Sequence, residues 1–221
     1  MSKPIEIAAK VIILGDTSVG KSSIILRYFD NVFEEYLPNT IGAAFQTKEI
    51  ESPDRRKLLK MHVWDTCGQE RFMAIASVYY KDSNVILLVV DCTQPDSLEV
   101  AKKYFDEIQN HANAEPIIIL VVNKIDLLAG YSLNVKLDQN LYKTCTFYSK
   151  ILKFVEEKEI EYVFWTSAKE GGASIEEMFD FVGKSILTDK FRVKNNGSMA
   201  QKNAIGLSYI DPKAKPKGCC S

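Results

Sequence analysis

The sequence contains no apolar run long enough to cross a bilayer. A spanning helix needs roughly 20 consecutive apolar residues, and the longest runs here, residues 85–90 and 117–122, hold six. C-x-x-C spacing is also missing. The five cysteines are odd in number, with Cys67, Cys92 and Cys145 scattered and only Cys219 and Cys220 adjacent. This excludes a disulfide framework and a zinc ribbon, and leaves reduced thiols as the default. A secretory leader is lacking because Glu6 and Lys10 interrupt the N-terminal apolar stretch, and Ser2 stands where myristoylation requires glycine, so a cytosolic chain is expected. Net charge is small as well: 28 basic residues against 29 acidic ones leave −1, which argues against a general nucleic-acid binder. No internal repeat is visible.

The 221 residues, 46% apolar and 26% charged, fit one ordinary domain with an appendage. Residues 190–221 hold seven basic side chains and one acidic one, so a tail of +6 leaves −7 for residues 1–189. After Leu187 the composition turns to Lys, Asn, Gly, Ser and Pro without a period, as in segments that bury too little surface to order themselves. The expected organisation is a folded domain over 7–187 and a flexible basic tail over 188–221.

Apolar runs at 11–14, 85–90, 117–122 and 162–165 alternate with helical patterns, and their continuous apolarity suits parallel strands buried on both faces. Ser52-Pro53-Asp54 separates 44–51 from 57–64, which predicts an antiparallel hairpin at one edge and therefore a mixed sheet. Ile175, Met178, Phe179, Val182 and Ile186 recur at helical spacing behind a Ser174/Glu177 capping pair, and Asp96 and Glu99 open another helix in the same way. Leu141, Cys145, Tyr148, Leu152 and Val155 form a further stripe, read as one extended surface helix. Along the second hairpin strand Leu59, Met61 and Val63 share one face, and Lys60, His62 and Trp64 the other. Trp64 is thus either exposed or packed beneath a neighbouring loop, and His62 is a solvated strand residue.

The first strand runs into Gly15-Asp16-Thr17-Ser18-Val19-Gly20-Lys21-Ser22, a full G-x-x-x-x-G-K-[ST] in the strand-to-helix setting that the motif demands. There the backbone amides close around phosphate oxygens, the helix offers its positive end, Lys21 reaches the outer phosphates and Ser22 ligates Mg²⁺. Asn123-Lys124-Ile125-Asp126 follows the strand 117–122 at the sheet edge where open α/β folds bind ligands. The Asp126 carboxylate accepts two hydrogen bonds from the ring N–H and exocyclic amine of guanine, a donor pair that adenine lacks. Asp65-Thr66-Cys67-Gly68-Gln69 ends the hairpin, with Asp65 placed to hold Mg²⁺ through water and Gln69 to orient an attacking water.

Together these residues resemble the Ras-like small GTPases, and Thr40-Ile41-Gly42, the stretch 64–72 and the terminal Cys219-Cys220 resemble the Rab family, with 40–45 most like its early-endosomal branch. The resemblance implies a six-stranded, mostly parallel sheet flanked by helices on both faces. It implies that Ser23 joins the phosphate contacts, Thr40 completes the Mg²⁺ shell with triphosphate bound, Gly68 contacts the terminal phosphate, Phe33 packs on guanine, and Ser167-Ala168-Lys169 finish the base pocket. Phe45, Trp64 and Tyr79 match an aromatic triad read by effectors. Cys219 and Cys220, beside Lys213, Lys215 and Lys217, match a terminus that receives two geranylgeranyl groups; two lipids and a basic patch hold a membrane where one slips. The implied partners are GTP or GDP, an exchange factor, an activating protein, effectors, a prenylation escort and a GDI-type extractor, around a monomeric switch on an endosomal membrane. Three departures stand out: Cys67 replaces the usual alanine, Thr17 adds bulk near the terminal phosphate, and 126–167 is long. A non-hydrolysing scaffold or a small-molecule kinase would share the phosphate loop, but an Arg-rich clamping lid for a kinase is not found.

Overall fold

The computed structural model describes residues 3–40, 42–68, 80–111, 116–132, 139–171 and 173–188. Its strands are β1 (Ile5–Gly15), β2 (Ala43–Glu51), β3 (Lys57–Thr66), β4 (Val85–Asp91), β5 (Ile117–Asn123) and β6 (Tyr162–Trp165). Five α-helices are described: α1 (Lys21–Asp30), α2 (Pro95–His111), α3 (Gln139–Tyr142), α4 (Tyr148–Glu157) and α5 (Ala173–Leu187). One six-stranded sheet runs in the order β2-β3-β1-β4-β5-β6. Only the β2–β3 pair is antiparallel, so the sheet is mixed and mostly parallel.

Every residue of β4 and β5 is buried, and the period of two divides their side chains between two apolar layers. One layer gathers Ile12, Leu14, Ile86, Leu88 and Leu120 under α2, α3 and α4; the other gathers Ile13, Leu87 and Val121 under α1 and α5. The chain leaves β1 toward one face and β4 toward the other. Their C-terminal ends therefore open a crevice at the switch in strand order, where α/β sheets bind ligands.

The hairpin forms as its turn predicts. Ser52 Oγ donates to Asp54 Oδ1 at 2.6 Å and accepts from the Lys57 amide at 2.9 Å. Along β3, Leu59, Met61 and Val63 are buried and Lys60, His62 and Trp64 half-buried. β1 is longer than its apolar run. Residues 5–10, of which only Ala9 is buried, are held by parallel pairing with β3 from Ile5↔Lys57 onward.

Three local expectations are corrected. The stripe over 141–155 is two short helices joined by a turn, and its inner side is core: Leu141, Ile151, Phe154 and Val155 on the helices and Cys145 in the turn are all buried. Thr144 Oγ1 donates to the Leu141 carbonyl at 2.6 Å and the Thr144 and Cys145 amides close tight turns on Leu141 and Tyr142, which ends the first helix. Ser174 lies inside α5 rather than capping it, with its hydroxyl 3.5 Å from the Ser167 amide. Asp96 likewise follows the first residue of α2, Pro95, whose missing N–H and fixed φ suit a helix start.

Candidate nucleotide site

The phosphate loop links Gly15, the last residue of β1, to Lys21, the first of α1. Its turn needs left-handed backbone at Gly20 (φ 97°), and a Cβ there would collide with Asn123 Nδ2. No side chain caps α1 and no acid occupies its first turn. Its free N–H groups and positive end are thus presented to whatever sits beyond them. Lys21 is buried and donates to the carbonyls of Gly15 at 3.1 Å and Asp16 at 2.6 Å. Asp16 Oδ1 accepts from the Thr17 amide at 2.6 Å. Val19 is buried in the core, while Thr17, Ser18, Ser22 and Ser23 line the cleft.

Burial lowers the Lys21 pKa from 10.5 to about 8, against the opposing pull of Asp65 and Asp16. Between those values the unfolded chain binds the extra proton, so the nucleotide-free protein gains stability as pH rises through this window. A phosphate beside Lys21 restores the proton. Nucleotide binding is therefore expected to take up a proton at about pH 8.5 and not at about pH 6.5, read as buffer-dependent heat in calorimetry.

Ser22, Thr40 and Asp65 come from α1, the loop after it and β3, and their oxygens converge. Ser22 Oγ lies 2.9 Å from Thr40 Oγ1, which donates to Asp65 Oδ2 at 3.3 Å. Burial raises the Asp65 pKa despite the hydrogen bond from Ser22 and the charge of Lys21. Its Oδ1 is buried with no partner. Two hydroxyls and one carboxylate, with an orphaned oxygen among them, suit a hard cation that takes oxygen ligands and keeps waters, as Mg²⁺ does. The residues present fit that ion.

Beside this set, the Thr66 hydroxyl donates to the Ile13 carbonyl at 2.6 Å and the Cys67 amide to the Gly42 carbonyl at 3.1 Å. Gly68 is buried where a Cβ would strike Lys21 Nζ and come within 2.6 Å of the Asp16 carbonyl. Gln69 and Tyr79 lie outside the described residues, as do Cys219 and Cys220.

The end of the cleft where the sequence predicts the base is built by the loops after β5 and β6. Ser167 Oγ donates to Asp126 Oδ1 at 2.6 Å, orienting the carboxylate, and accepts from the Glu170 amide at 3.0 Å. Lys124, left-handed at φ 65°, sends Nζ to Asp91 Oδ2 at 2.7 Å. Asn123 is buried; it donates to the Val19 carbonyl at 2.9 Å and accepts from Thr166 Oγ1 at 3.1 Å and the Ala168 amide at 3.3 Å. Asn123 thereby ties the phosphate loop to the base loop. Asn123→Ala would strand a carbonyl, a hydroxyl and an amide, and an unmade buried bond costs about 1–3 kcal/mol each. Urea unfolding is expected to show a loss of about 3–5 kcal/mol.

Lys21, Ser22, Thr40, Gly68, Asn123, Lys124 and Asp126 border one cleft of about 380 Å³, together with Phe33, Leu37, Leu127, Ala168 and Lys169; Asp65 and Ser167 do not line it but bond to Thr40 and Asp126, which do. Sequence reasoning missed Asp91, which pairs in register with Asn123 at the strand ends; its place at the C-terminal edge of β4 was the available signal. On the opposite face of β3, Trp64 is half-buried against the core rather than exposed, stacked on Phe45 at 5.0 Å. Phe45 carries the exposure, at 58%. Among the described residues no helix is long and apolar enough to cross a membrane.

The model of the Ras family matches residues 10–188. The chain is 34% identical to the GTP-binding protein ypt5 of Schizosaccharomyces pombe over 98% of its own length and 95% of that protein's. It is 32% identical to the Ras-related protein RabC of Dictyostelium discoideum, covering 97% and 98% of the two chains. To the Ras-related protein Rab-21 of Homo sapiens it is 34% identical, covering 96% and 90%. With this likeness spanning both the phosphate loop and the base loops, the chain belongs to the Ras family of small GTPases.

Proposed function

We propose that this GTPase is a Rab-type switch of endosomal trafficking, with a nucleotide-binding domain over 7–187 and a basic tail over 188–221 that anchors it through geranylgeranyl groups on Cys219 and Cys220. The observation that carries the nucleotide reading is a single cleft with a buried ammonium and a helix N-terminus at one end and the oriented Asp126 carboxylate at the other. Lys21 and the amides of 16–23 hold the phosphates, and Asp126 with Ser167, Ala168 and Lys169 reads the base, with Phe33 against its face. Ser22, Thr40 and Asp65 would hold Mg²⁺, which when bound neutralises charge on the transferring phosphate. Gly68 follows the terminal phosphate, and Gln69 orients a water whose oxygen attacks the γ-phosphorus as the bond to GDP breaks.

Loss of the γ-phosphate releases Thr40 and Gly68 together, and that is the switch. Phe45, Trp64 and Tyr79 form the face that effectors read. Among the described residues no arginine lines the cleft. An arginine from a partner contributes roughly 10³–10⁵ in rate, so slow intrinsic turnover, an activating protein in trans and an exchange factor follow. An escort and a GDI-type extractor would handle the lipidated tail.

Single-turnover phosphate release tests the catalytic part. Gln69→Leu is expected to retain GTP and slow release by about 10²-fold or more, as loss of a group acting on the attacking water does. Equal, negligible rates in both proteins would favour a scaffold. Chelating Mg²⁺ is expected to speed GDP dissociation from both.

A further inference from the structure

Arg27 does not line the cleft, yet its guanidinium joins three segments that do. Standing in the last turn of α1, it donates from Nε to the Ala168 carbonyl at 2.9 Å and from Nη2 to the Lys169 carbonyl at 2.9 Å. Its Nη1 donates to Asn31 O at 2.9 Å and to Asn31 Oδ1 at 3.2 Å. Asn31, left-handed at φ 54°, returns its amide to the Arg27 carbonyl at 3.1 Å and ends α1. Gly171 is a neighbour of the group, where a Cβ would sit 3.9 Å from Cζ.

A guanidinium is a planar fork whose donors cannot move independently. Carbonyls bound along that fork are fixed relative to one another and to the helix that carries it. Arg27 therefore sets the base loop at 167–169 against the helix that springs from the phosphate loop. The same group fixes Asn31, from which the chain runs to Phe33 and Thr40. The base loop and the chain that leads to Thr40 thus meet on one side chain at the C-terminal end of α1.

We propose that Arg27 is a positioning residue that sets guanine affinity and selectivity by holding the 167–169 loop against α1. This rests on the guanine-nucleotide reading above. Ala168, Lys169 and the Ser167 that orients Asp126 are placed by it, whereas the phosphate amides lie at the other end of α1. Removing the fork loosens recognition of the base and spares recognition of the phosphates. A lysine on the same stem reaches one of the carbonyls and keeps part of the effect.

The test compares full-length wild type, Arg27→Gln and Arg27→Lys, each stripped of nucleotide. Three quantities are measured with Mg²⁺ present: GDP dissociation, the preference for GDP over inosine diphosphate, which lacks the exocyclic amine, and affinity for pyrophosphate. Removing a group that orients a ligand-holding segment typically costs about 10–100-fold. Arg27→Gln is expected to release GDP faster by that factor, with a reduced preference over inosine diphosphate and pyrophosphate affinity within about twofold of wild type. Arg27→Lys falls between the two, and keeps the question answerable should the glutamine variant fail to fold. Unchanged GDP dissociation and preference in either folded variant overturn the proposal, as does pyrophosphate weakened as much as GDP, which marks general loosening. A wild type that binds pyrophosphate but neither nucleoside diphosphate overturns the guanine reading itself.

Discussion

Asp126→Asn is expected to lower GTP affinity by roughly 10⁴-fold while sparing the fold, because a pocket built to pair with polar groups discriminates by about 10⁴–10⁵ once that pairing fails. The Asp126 carboxylate is held through one oxygen by Ser167 and offers only acceptors to the base. Guanine presents two donors, a ring N–H and an exocyclic amine. An amide at this position turns one acceptor into a donor, which then faces that amine. Xanthine carries a carbonyl where guanine has the amine, so xanthosine triphosphate is the nucleotide that should recover affinity in the variant. Competition binding against a fluorescent guanine nucleotide reads both effects. A variant with weakened GTP binding and no gain for the xanthine nucleotide would mean that Asp126 matters for loop structure rather than for reading the base.

The second large effect separates stability from function. Lys21→Met is expected to cut triphosphate affinity by about 10²–10⁴-fold, the scale of removing one partner of a buried charge pair. The nucleotide-free protein should nonetheless keep its stability to within about 1 kcal/mol, or gain some. Lys21 is buried and its pKa is held down to about 8 by desolvation, so in the empty cleft the ammonium sits in an environment that disfavours its charge. Two hydrogen bonds to the Gly15 and Asp16 carbonyls offset part of that cost. Methionine fills a similar volume without the charge. Urea unfolding of the stripped protein, beside equilibrium binding, checks both halves. A variant as unstable as it is inactive would show that Lys21 supports the loop, not the phosphate.

What the sequence disclosed of this site follows the distance over which each piece is assembled. The phosphate loop is eight consecutive residues whose geometry is local, and the structure sets its turn between β1 and α1 as the motif requires. Continuous apolarity identified the buried strands for the same reason. Ser22, Thr40 and Asp65 are scattered over three elements; Ser22 and Asp65 are each legible from their own motifs, and only the family resemblance adds Thr40. Arg27 and its carbonyl acceptors are separated by 141 and 142 residues, and no periodicity connects a helix side chain to a distant loop. The bonds that tie the Asn123 side chain to the Val19 carbonyl, Thr166 and Ala168 are equally invisible in the sequence. They depend on how β5 and β6 align.

The errors have equally local causes. A helical stripe over 141–155 survives a break when both halves face the same core, so periodicity alone could not reveal the turn closed by Thr144. Alternation along β3 placed Trp64 with the polar side chains correctly. It could not say that this face of the sheet is also covered, which leaves Phe45 as the more exposed ring of the stacked pair.

The most direct measurement is a titration of nucleotide-stripped protein with GDP and with ADP in the presence of Mg²⁺. One saturable site for GDP is expected, with ADP binding weaker by at least about 10³-fold, because adenine leaves the half-buried Asp126 carboxylate unmatched. No heat with GDP, or equal affinities for the two, would contradict the guanine reading.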